Sequence, residues 1–155
     1  MYNISYLPNH EYSKSKFNIL IVDDDNNSGS ALQQIIIKRG HNVTLLNESM
    51  KFVNRCYDNT FDIVFVDYHI DEDMNGSEII DLLKDKFKNT LVYVYTGDDS
   101  KNTLENIKKN KINGVFIKPL NYTLIDDFFF GLELKHNNKY FSKLALKNKN
   151  FLYFI

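Results

Sequence analysis

The chain has 155 residues, of which 43% are hydrophobic and 25% are charged, and its formal net charge is -1. This length and composition predict one globular domain with a single core. The near-neutral charge argues against nucleic acid as a direct partner, because a phosphate backbone requires a basic surface. The single cysteine, Cys56, excludes an internal disulfide and fits a reducing compartment.

We expect no targeting signal at the beginning of the chain. Residues 1–16 contain Pro8, His10 and several polar residues in place of the continuous apolar segment of a signal peptide. No apolar run approaches the roughly 18 residues that a membrane-spanning helix requires. We therefore expect a cytoplasmic protein without a membrane span, in which residues 1–16 form an N-terminal extension.

Short apolar runs alternate with segments of helical periodicity along the chain. The runs are residues 18–22, 41–46, 61–66, 91–95 and 114–117. Runs this short and this apolar are typical of parallel strands that are buried on both faces. Their alternation with helical segments predicts an α/β fold built on a parallel sheet.

Five segments around these runs predict helices. They lie near residues 26–39, 49–57, 79–87, 101–110 and 122–134. Asp25 and the segment 26–28 offer caps for the first helix, and Gly40 is expected to end it. The fourth helix has only Leu104 and Ile107 as apolar residues, so we expect it to be the most movable. Phe130 lies outside the apolar stripe of the fifth helix.

Polar side chains follow four of the five predicted strands, at the point where each strand ends. They are Asp23 and Asp24, Asp67, Thr96, and Lys118. The carboxyl ends of parallel strands meet at one edge of an open sheet, so these groups should converge. Three neighbouring carboxylates must take up a proton or a divalent cation at neutral pH. Such a site suits phosphoryl chemistry, with Asp67 as the nucleophile and Thr96 and Lys118 around the transferred group.

The order of these motifs resembles that of a response-regulator receiver domain. The resemblance covers residues 17–134 and rests on the Asp-Asp pair, Asp67, Thr96-Gly97 and Lys118-Pro119, each after its strand. Each motif alone is common, but four in this order at sensible spacings form a specific signal. The resemblance, which extends to the chemotaxis-type single-domain regulators, implies a flavodoxin-like, doubly wound (βα)5 fold. Its five parallel strands would have the order 2-1-3-4-5.

The resemblance also implies a function in two-component or phosphorelay signalling. Asp67 would accept a phosphoryl group from a phosphohistidine of a sensor histidine kinase or a histidine-phosphotransfer protein, and a downstream protein target would bind differently afterwards. Thr96 would bond to a phosphoryl oxygen and Lys118 would pair with it. No enzymatic activity is expected beyond self-phosphorylation and self-dephosphorylation.

The cofactor that the resemblance implies is Mg2+ or Mn2+. Asp24, the Asp67 carboxylate and the backbone carbonyl of His69 would bind the ion directly. Asp23 would bind it mainly through water. The His69 side chain is expected to be a solvated loop histidine and not a ligand.

Two features depart from the family pattern. Asp71 and Asn75 stand where the family commonly has a proline and a glycine after the acceptor. Val115 stands where the family often has an aromatic residue, with Phe116 next to it on the opposite face of the strand. These departures favour an alternative: a degenerate receiver that acts as a constitutive interaction or dimerisation module without phosphorylation.

A third hypothesis is an aspartate-nucleophile phosphatase. Asp23 and Asp25 would then form the Asp-x-Asp motif of that class after the first strand. This hypothesis leaves Asp67 without a nucleophilic role.

The end of the chain, residues 135–155, is expected to be a tail without an output domain, since such a domain needs on the order of 50 residues. Its aromatic end, residues 151–155, has three open interpretations: packing on the domain itself, fraying, or contact with a partner. A homodimer or a partner complex is expected through the predicted helices at 101–110 and 122–134.

Overall fold

The computed structural model describes residues 15–47, 60–69, 78, 80–82, 85 and 88–154. Its strands are β1 (Asn18–Val22), β2 (Asn42–Leu46), β3 (Ile63–Asp67), β4 (Leu91–Thr96), β5 (Gly114–Ile117) and β6 (Phe151–Tyr153). Its helices are α1 (Asn26–Lys38), α2 (Lys101–Lys108), α3 (Tyr122–Glu133) and α4 (Asn138–Lys147). Residues 78, 80–82 and 85 are also helical and fall at the third predicted helix. The predicted helix at 49–57, Cys56 and the positions Asp71 and Asn75 lie outside the described residues.

The strands form one sheet in the order β2-β1-β3-β4-β5-β6. The first five are parallel, and β6 is antiparallel to β5. The predicted flavodoxin-like fold with strand order 2-1-3-4-5 is confirmed. The sixth strand was not predicted, because a three-residue strand is too short to show a periodicity of its own.

Both faces of the sheet are buried. Along β1, Ile19 and Ile21 belong to one apolar cluster and Leu20 and Val22 to the other. The first cluster includes residues of α1, α3 and α4, and the second includes Ile80 and residues of α2. A strand that alternates between two buried faces must be apolar throughout, which is why these runs are so uniform.

Local signals set the limits of α1. The Asp25 side chain accepts the backbone N–H of Asn27 at 2.9 Å and caps the first turn. Gly40 follows the helix with a φ of +91°, in the left-handed region that favours glycine. The capping by Asp25 and the stop at Gly40 are both confirmed.

Two glycines allow the end of the chain to pack against the domain. A Cβ at Gly131 in α3 would overlap the ring of Tyr140 in α4, and a Cβ at Gly114 would lie 2.5 Å from the Leu152 carbonyl oxygen of β6. Any larger residue at either position would push α4 or β6 away from its neighbour. Residues 138–153 of the predicted tail therefore pack on the domain itself, the first of the three interpretations above.

The aromatic end of the chain completes the core on the same side. Phe151 is buried and stacks on Phe116, with ring centroids 4.7 Å apart. Val115 belongs to the cluster on the other face of the sheet, so the predicted opposite orientation of Val115 and Phe116 is confirmed. Within the described residues, no helix combines the length and apolar character needed to cross a bilayer.

Candidate phosphoacceptor and metal site

The polar residues that follow the strands meet at one edge of the sheet. Asp23 directly follows β1, Asp67 ends β3, Thr96 ends β4 and Lys118 directly follows β5. The carboxylates of Asp23, Asp24 and Asp67 each place one oxygen within 4.8 Å of the others. The structure therefore brings together the three acids that the sequence predicts at the ends of two different strands, β1 and β3.

Asp23 is completely buried, and protein donors already contact both of its oxygens. Its Oδ1 accepts the backbone N–H of Asp25 at 2.9 Å. Its Oδ2 accepts the Ser28 hydroxyl at 2.5 Å and also the Tyr95 hydroxyl. Asp24 is exposed. The two consecutive aspartates thus differ in how freely they can offer oxygens to an ion.

Asp67 lies at the centre of the site with 8% of its surface exposed. Its Oδ1 accepts the backbone N–H of His69 at 3.1 Å, and its Oδ2 accepts a hydrogen bond from Lys118 Nζ at 3.1 Å. Burial raises the pKa of Asp67, and the contacts with His69 and Lys118 offset this effect only in part. The charged form of the Asp67 carboxylate is therefore disfavoured by burial, and binding of a proton or a cation, or reaction with an electrophile, would stabilise the group.

Lys118 supplies the positive charge of the site. Its Nζ lies 3.1 Å from Asp67 Oδ2, 3.3 Å from Ser28 Oγ and 3.9 Å from Asp23 Oδ2. The same ammonium lies 4.7 Å from the centroid of the Tyr95 ring, within the range of a cation–π interaction. The Lys118 ammonium therefore lies within 4.0 Å of two of the three carboxylates, and the net charge of the site stays negative.

Thr96 links the fourth strand to Lys118. It is buried, its Oγ1 accepts the Asp98 N–H at 3.1 Å, and its carbonyl accepts the Lys118 N–H at 2.8 Å. The exposed His69 side chain places Nε2 at 3.7 Å from Asp98 Oδ2. The metal role expected for the His69 backbone carbonyl stays a prediction.

Two hydroxyls of the site, those of Tyr95 and Ser28, are not predicted by the sequence. Tyr95 ends an apolar run, which predicts only a strand residue, and the position of Ser28 predicts only a cap of α1. Burial, and then the hydrogen bond to Asp23, raise the pKa of the Tyr95 phenol, so the hydroxyl remains a donor. Neither contact has a sequence signal of its own, because each depends on how β1, β4 and α1 pack together.

The donor set fits a hard divalent cation. Three carboxylates within 4.8 Å of one another supply oxygen ligands only, which is the chemistry that Mg2+ and Mn2+ prefer. The three acids carry more negative charge than Lys118 can balance, so a cation would relieve their repulsion.

Fold and site together define a class: a doubly wound α/β domain with an acidic pocket at the carboxyl ends of its strands. Residues 19–127 match the model of the response regulator receiver domain. The chain belongs to the response regulator receiver domain family, and its place in two-component signalling follows from that membership. Receiver domains bind Mg2+ at an acidic pocket, interact with histidine kinases or phosphotransfer proteins, and are generally not enzymes.

Solved receiver structures resemble this chain in fold. One is a CheY-like receiver domain from Methanospirillum hungatei, with 19% identity and a TM-score of 0.68 over 78% of this chain and 96% of that one. Another is the chemotaxis regulator CheY4 of Vibrio cholerae, with 19% identity and a TM-score of 0.62 over 70% and 92%.

A third structure is a response regulator protein from Burkholderia pseudomallei, solved with a phosphorylated aspartic acid, a calcium ion and citrate. Its identity is 20% and its TM-score 0.63, over 88% of this chain and 87% of that one. Among curated proteins, the CAI-1 autoinducer sensor kinase/phosphatase CqsS of Vibrio cholerae is 24% identical over 110 residues, which are 69% of this chain. The match spans 16% of that relative's length.

Proposed function

We propose that this receiver domain is a phosphoacceptor module of a phosphorelay, in which Asp67 receives a phosphoryl group in a reaction that requires Mg2+. The observation that carries the proposal is the surroundings of Asp67. Its carboxylate is nearly buried, lies with two further carboxylates within 4.8 Å, and contacts the Lys118 ammonium at 3.1 Å.

The chemistry would be a single displacement at phosphorus. An oxygen of Asp67 forms a bond to phosphorus while the bond from phosphorus to the donor's imidazole nitrogen breaks, and the product is an acyl phosphate. A bound Mg2+ would offset the negative charge that the incoming group brings to the acidic pocket. Asp24 and Asp67 would hold the ion directly, and Asp23 mainly through water.

Lys118 and Thr96 would respond to the transferred group. Lys118 pairs with Asp67 Oδ2, so it can move its charge to a phosphoryl oxygen with little displacement. The Thr96 hydroxyl would bond to a second phosphoryl oxygen. The Thr96 carbonyl already accepts the Lys118 N–H. A shift of the backbone at one of these residues would therefore move the other.

The partners in this proposal are those of a phosphorelay in the cytoplasm. The phosphoryl donor would be a sensor histidine kinase or a histidine-phosphotransfer protein, and similarity to a sensor kinase/phosphatase supports such a donor. A downstream protein would bind differently to the phosphorylated form. A homodimer through α2 and α3 remains part of the proposal.

The test is incubation with acetyl phosphate and Mg2+, followed by intact mass measurement. Wild type should gain the mass of one phosphoryl group, and Asp67→Asn or wild type with EDTA should gain none. Asp62→Asn, an exposed aspartate at the opposite end of β3, is the matched control and should be labelled like wild type. Labelling of Asp67→Asn at the wild-type level would refute the assignment.

The ranking of the metal ligands has its own test. Asp24→Asn should weaken Mg2+ binding more than Asp23→Asn does, because Asp24 is exposed while Asp23 already accepts three protein donors. Calorimetric titration of wild type and both variants measures this order. Equal affinities in the three proteins would contradict it.

A second candidate function is a constitutive interaction module that is not phosphorylated. The observation that favours it is the burial of Val115 in the place where the family often has an aromatic residue. A chain that binds Mg2+ but gains no phosphoryl group from acetyl phosphate or from a phosphohistidine donor would support this candidate.

A further inference from the structure

The Ser28 and Tyr95 hydroxyls that bond Asp23 limit how many of its acceptor positions are open to an ion. A carboxylate offers about four acceptor positions, two on each oxygen. Ser28 and Tyr95 both donate to Oδ2, and the Asp25 N–H donates to Oδ1. Oδ2 is therefore filled by protein donors, and Oδ1 keeps one position for an ion or its water.

The Tyr95 side chain also contacts the cation of the site. Its ring lies 4.7 Å from Lys118 Nζ while its hydroxyl bonds Asp23. The same Lys118 Nζ donates to Ser28 Oγ at 3.3 Å, and Ser28 in turn donates to Asp23. Asp23, Ser28, Tyr95 and Lys118 thus form one connected group beside Asp67.

We propose that Tyr95 is a positioning residue of the cation site, which acts through Asp23. Together with Ser28 it fixes Asp23 Oδ2 and leaves Oδ1 as the Asp23 oxygen that would be available to the ion or its water. The inference rests on the proposed Mg2+ site and adds two residues that neither the acidic motif nor the Thr-Lys pair contains.

The chain offers a matched control for the lost hydroxyl. Tyr93 lies two residues earlier on β4, on the same face of the sheet, and is 3% exposed. Tyr93→Phe removes a buried phenol hydroxyl from the same strand without touching Asp23. Any effect that comes only from loss of a buried hydroxyl on β4 should appear in both phenylalanine variants.

The experiment is a double-mutant cycle read by calorimetric Mg2+ titration. Tyr95→Phe keeps the ring beside Lys118 and removes only the hydroxyl, and it should weaken Mg2+ binding several-fold. Ser28→Ala removes the other donor to Oδ2 and should act in the same direction. Tyr93→Phe should bind Mg2+ like wild type.

The cycle uses Asp23→Ala as its second background. If Tyr95 acts through Asp23, then Tyr95→Phe should change the Mg2+ affinity of Asp23→Ala by less than twofold. Circular dichroism of every variant checks that the fold is kept. Should Asp23→Ala not fold, Ser28→Ala provides the second test, because it removes the other hydroxyl donor to Asp23 Oδ2 and keeps the carboxylate.

Three results would overturn the inference. They are wild-type Mg2+ affinity in Tyr95→Phe, equal losses in Tyr95→Phe and Tyr93→Phe, and an undiminished loss in the Asp23→Ala background. Each leaves the proposed function intact as long as wild type binds Mg2+ and takes up a phosphoryl group. Absence of Mg2+ binding by wild type would instead overturn the proposed function, and this inference with it.

Discussion

The described part of the chain has buried acids at both edges of the sheet, and the two clusters of side chains around them are built differently. At the carboxyl ends of the strands, Asp23 and Asp67 share the single ammonium of Lys118. At the opposite edge, Glu133 at the end of α3 is 5% exposed and receives donors from two basic side chains.

In the cluster at the opposite edge, both oxygens of Glu133 accept hydrogen bonds from basic side chains. Arg39 makes a bidentate contact with Glu133, from Nε to Oε1 at 2.9 Å and from Nη2 to Oε2 at 2.7 Å. His41 Nδ1 accepts the Phe17 N–H at 3.1 Å, so its Nε2 carries the proton that it donates to Glu133 at 2.9 Å. This arrangement joins α1, α3 and the starts of β1 and β2.

The difference teaches how to distinguish a structural acid from a functional one in this fold. Glu133 has a guanidinium and an imidazole N–H directed at its two oxygens, so both oxygens are hydrogen-bonded within the protein. The Asp67 carboxylate has a raised pKa because burial outweighs the contributions of its donors. A site in that state is prepared to bind an ion, at some cost in stability.

The first and largest expected effect concerns the opposite cluster. Glu133→Gln should lower the free energy of unfolding by about 3 kcal/mol, because it removes the buried carboxylate that Arg39 contacts through two nitrogens. The exposed Asp126, 3.3 Å from Arg39 Nη1, would offset only part of that loss. Urea denaturation measures the loss. Glu105→Gln is the control, since Glu105 lies 4.0 Å from Lys101 in an exposed pair and should change stability by less than about 0.5 kcal/mol. Similar values for both variants would remove the distinction between the clusters.

The second prediction divides the acids within the site. Asp23→Asn should lower the free energy of unfolding by about 1.5 kcal/mol in EDTA, because an amide N–H2 would face the donors that now bond the carboxylate. Asp24→Asn, its exposed neighbour, should melt slightly higher than wild type, since it removes repulsion and breaks no described hydrogen bond. Thermal melts of both variants in EDTA measure these changes. A higher melting temperature for Asp23→Asn would show that repulsion between the carboxylates outweighs the hydrogen bonds of Asp23.

The third prediction has the opposite sign. Asp67→Asn should raise the free energy of unfolding by about 1 kcal/mol in EDTA at neutral pH, because the charged form is disfavoured in the fold. With a raised pKa, the penalty is absent below the ordinary aspartate value and appears as pH rises through the pKa of the folded state. The advantage of Asp67→Asn should therefore shrink as pH falls towards about 4. An advantage that grows at low pH would show that Asp67 is a stabilising ion-pair partner.

The sequence predicted the acids of the site but not the residues that hold them. Asp23, Asp67 and Lys118 follow apolar runs whose periodicity fixes the strands, so their convergence follows from the topology of a parallel sheet. The Tyr95 hydroxyl and the Arg39–Glu133 pair depend on distances across the core between residues 72 and 94 positions apart in the chain. No local pattern encodes such contacts. The strand β6 could not be predicted for the same reason, because its position depends on contacts with Gly114 and with the Phe116 ring.

The smallest effect expected concerns the rim of the site, where Asp98 lies beside His69. The resemblance to the family implies that the residues at these two places flank the path of the water that would hydrolyse the acyl phosphate. Here their side chains lie 3.7 Å apart. The Asp98 carboxylate accepts the Thr103 hydroxyl at 2.7 Å and the Ser100 N–H at 3.0 Å, contacts that lower its pKa to about 2. It therefore stays charged and held in place at neutral pH, as a group that orients water must be.

We expect Asp98→Ala to slow the loss of the phosphoryl group several-fold in single-turnover decay of the phosphorylated protein. Because the Asp98 pKa lies far below neutrality, the ratio of wild-type to variant rates should stay constant between about pH 6 and pH 8. Asp99→Ala removes an exposed acid next to it and controls for the change in surface charge. Thr103→Val keeps the carboxylate and removes the hydroxyl that bonds it, so it tests whether that contact holds Asp98 in place. Equal half-lives for Asp98→Ala and wild type would mean that other groups control water access to Asp67.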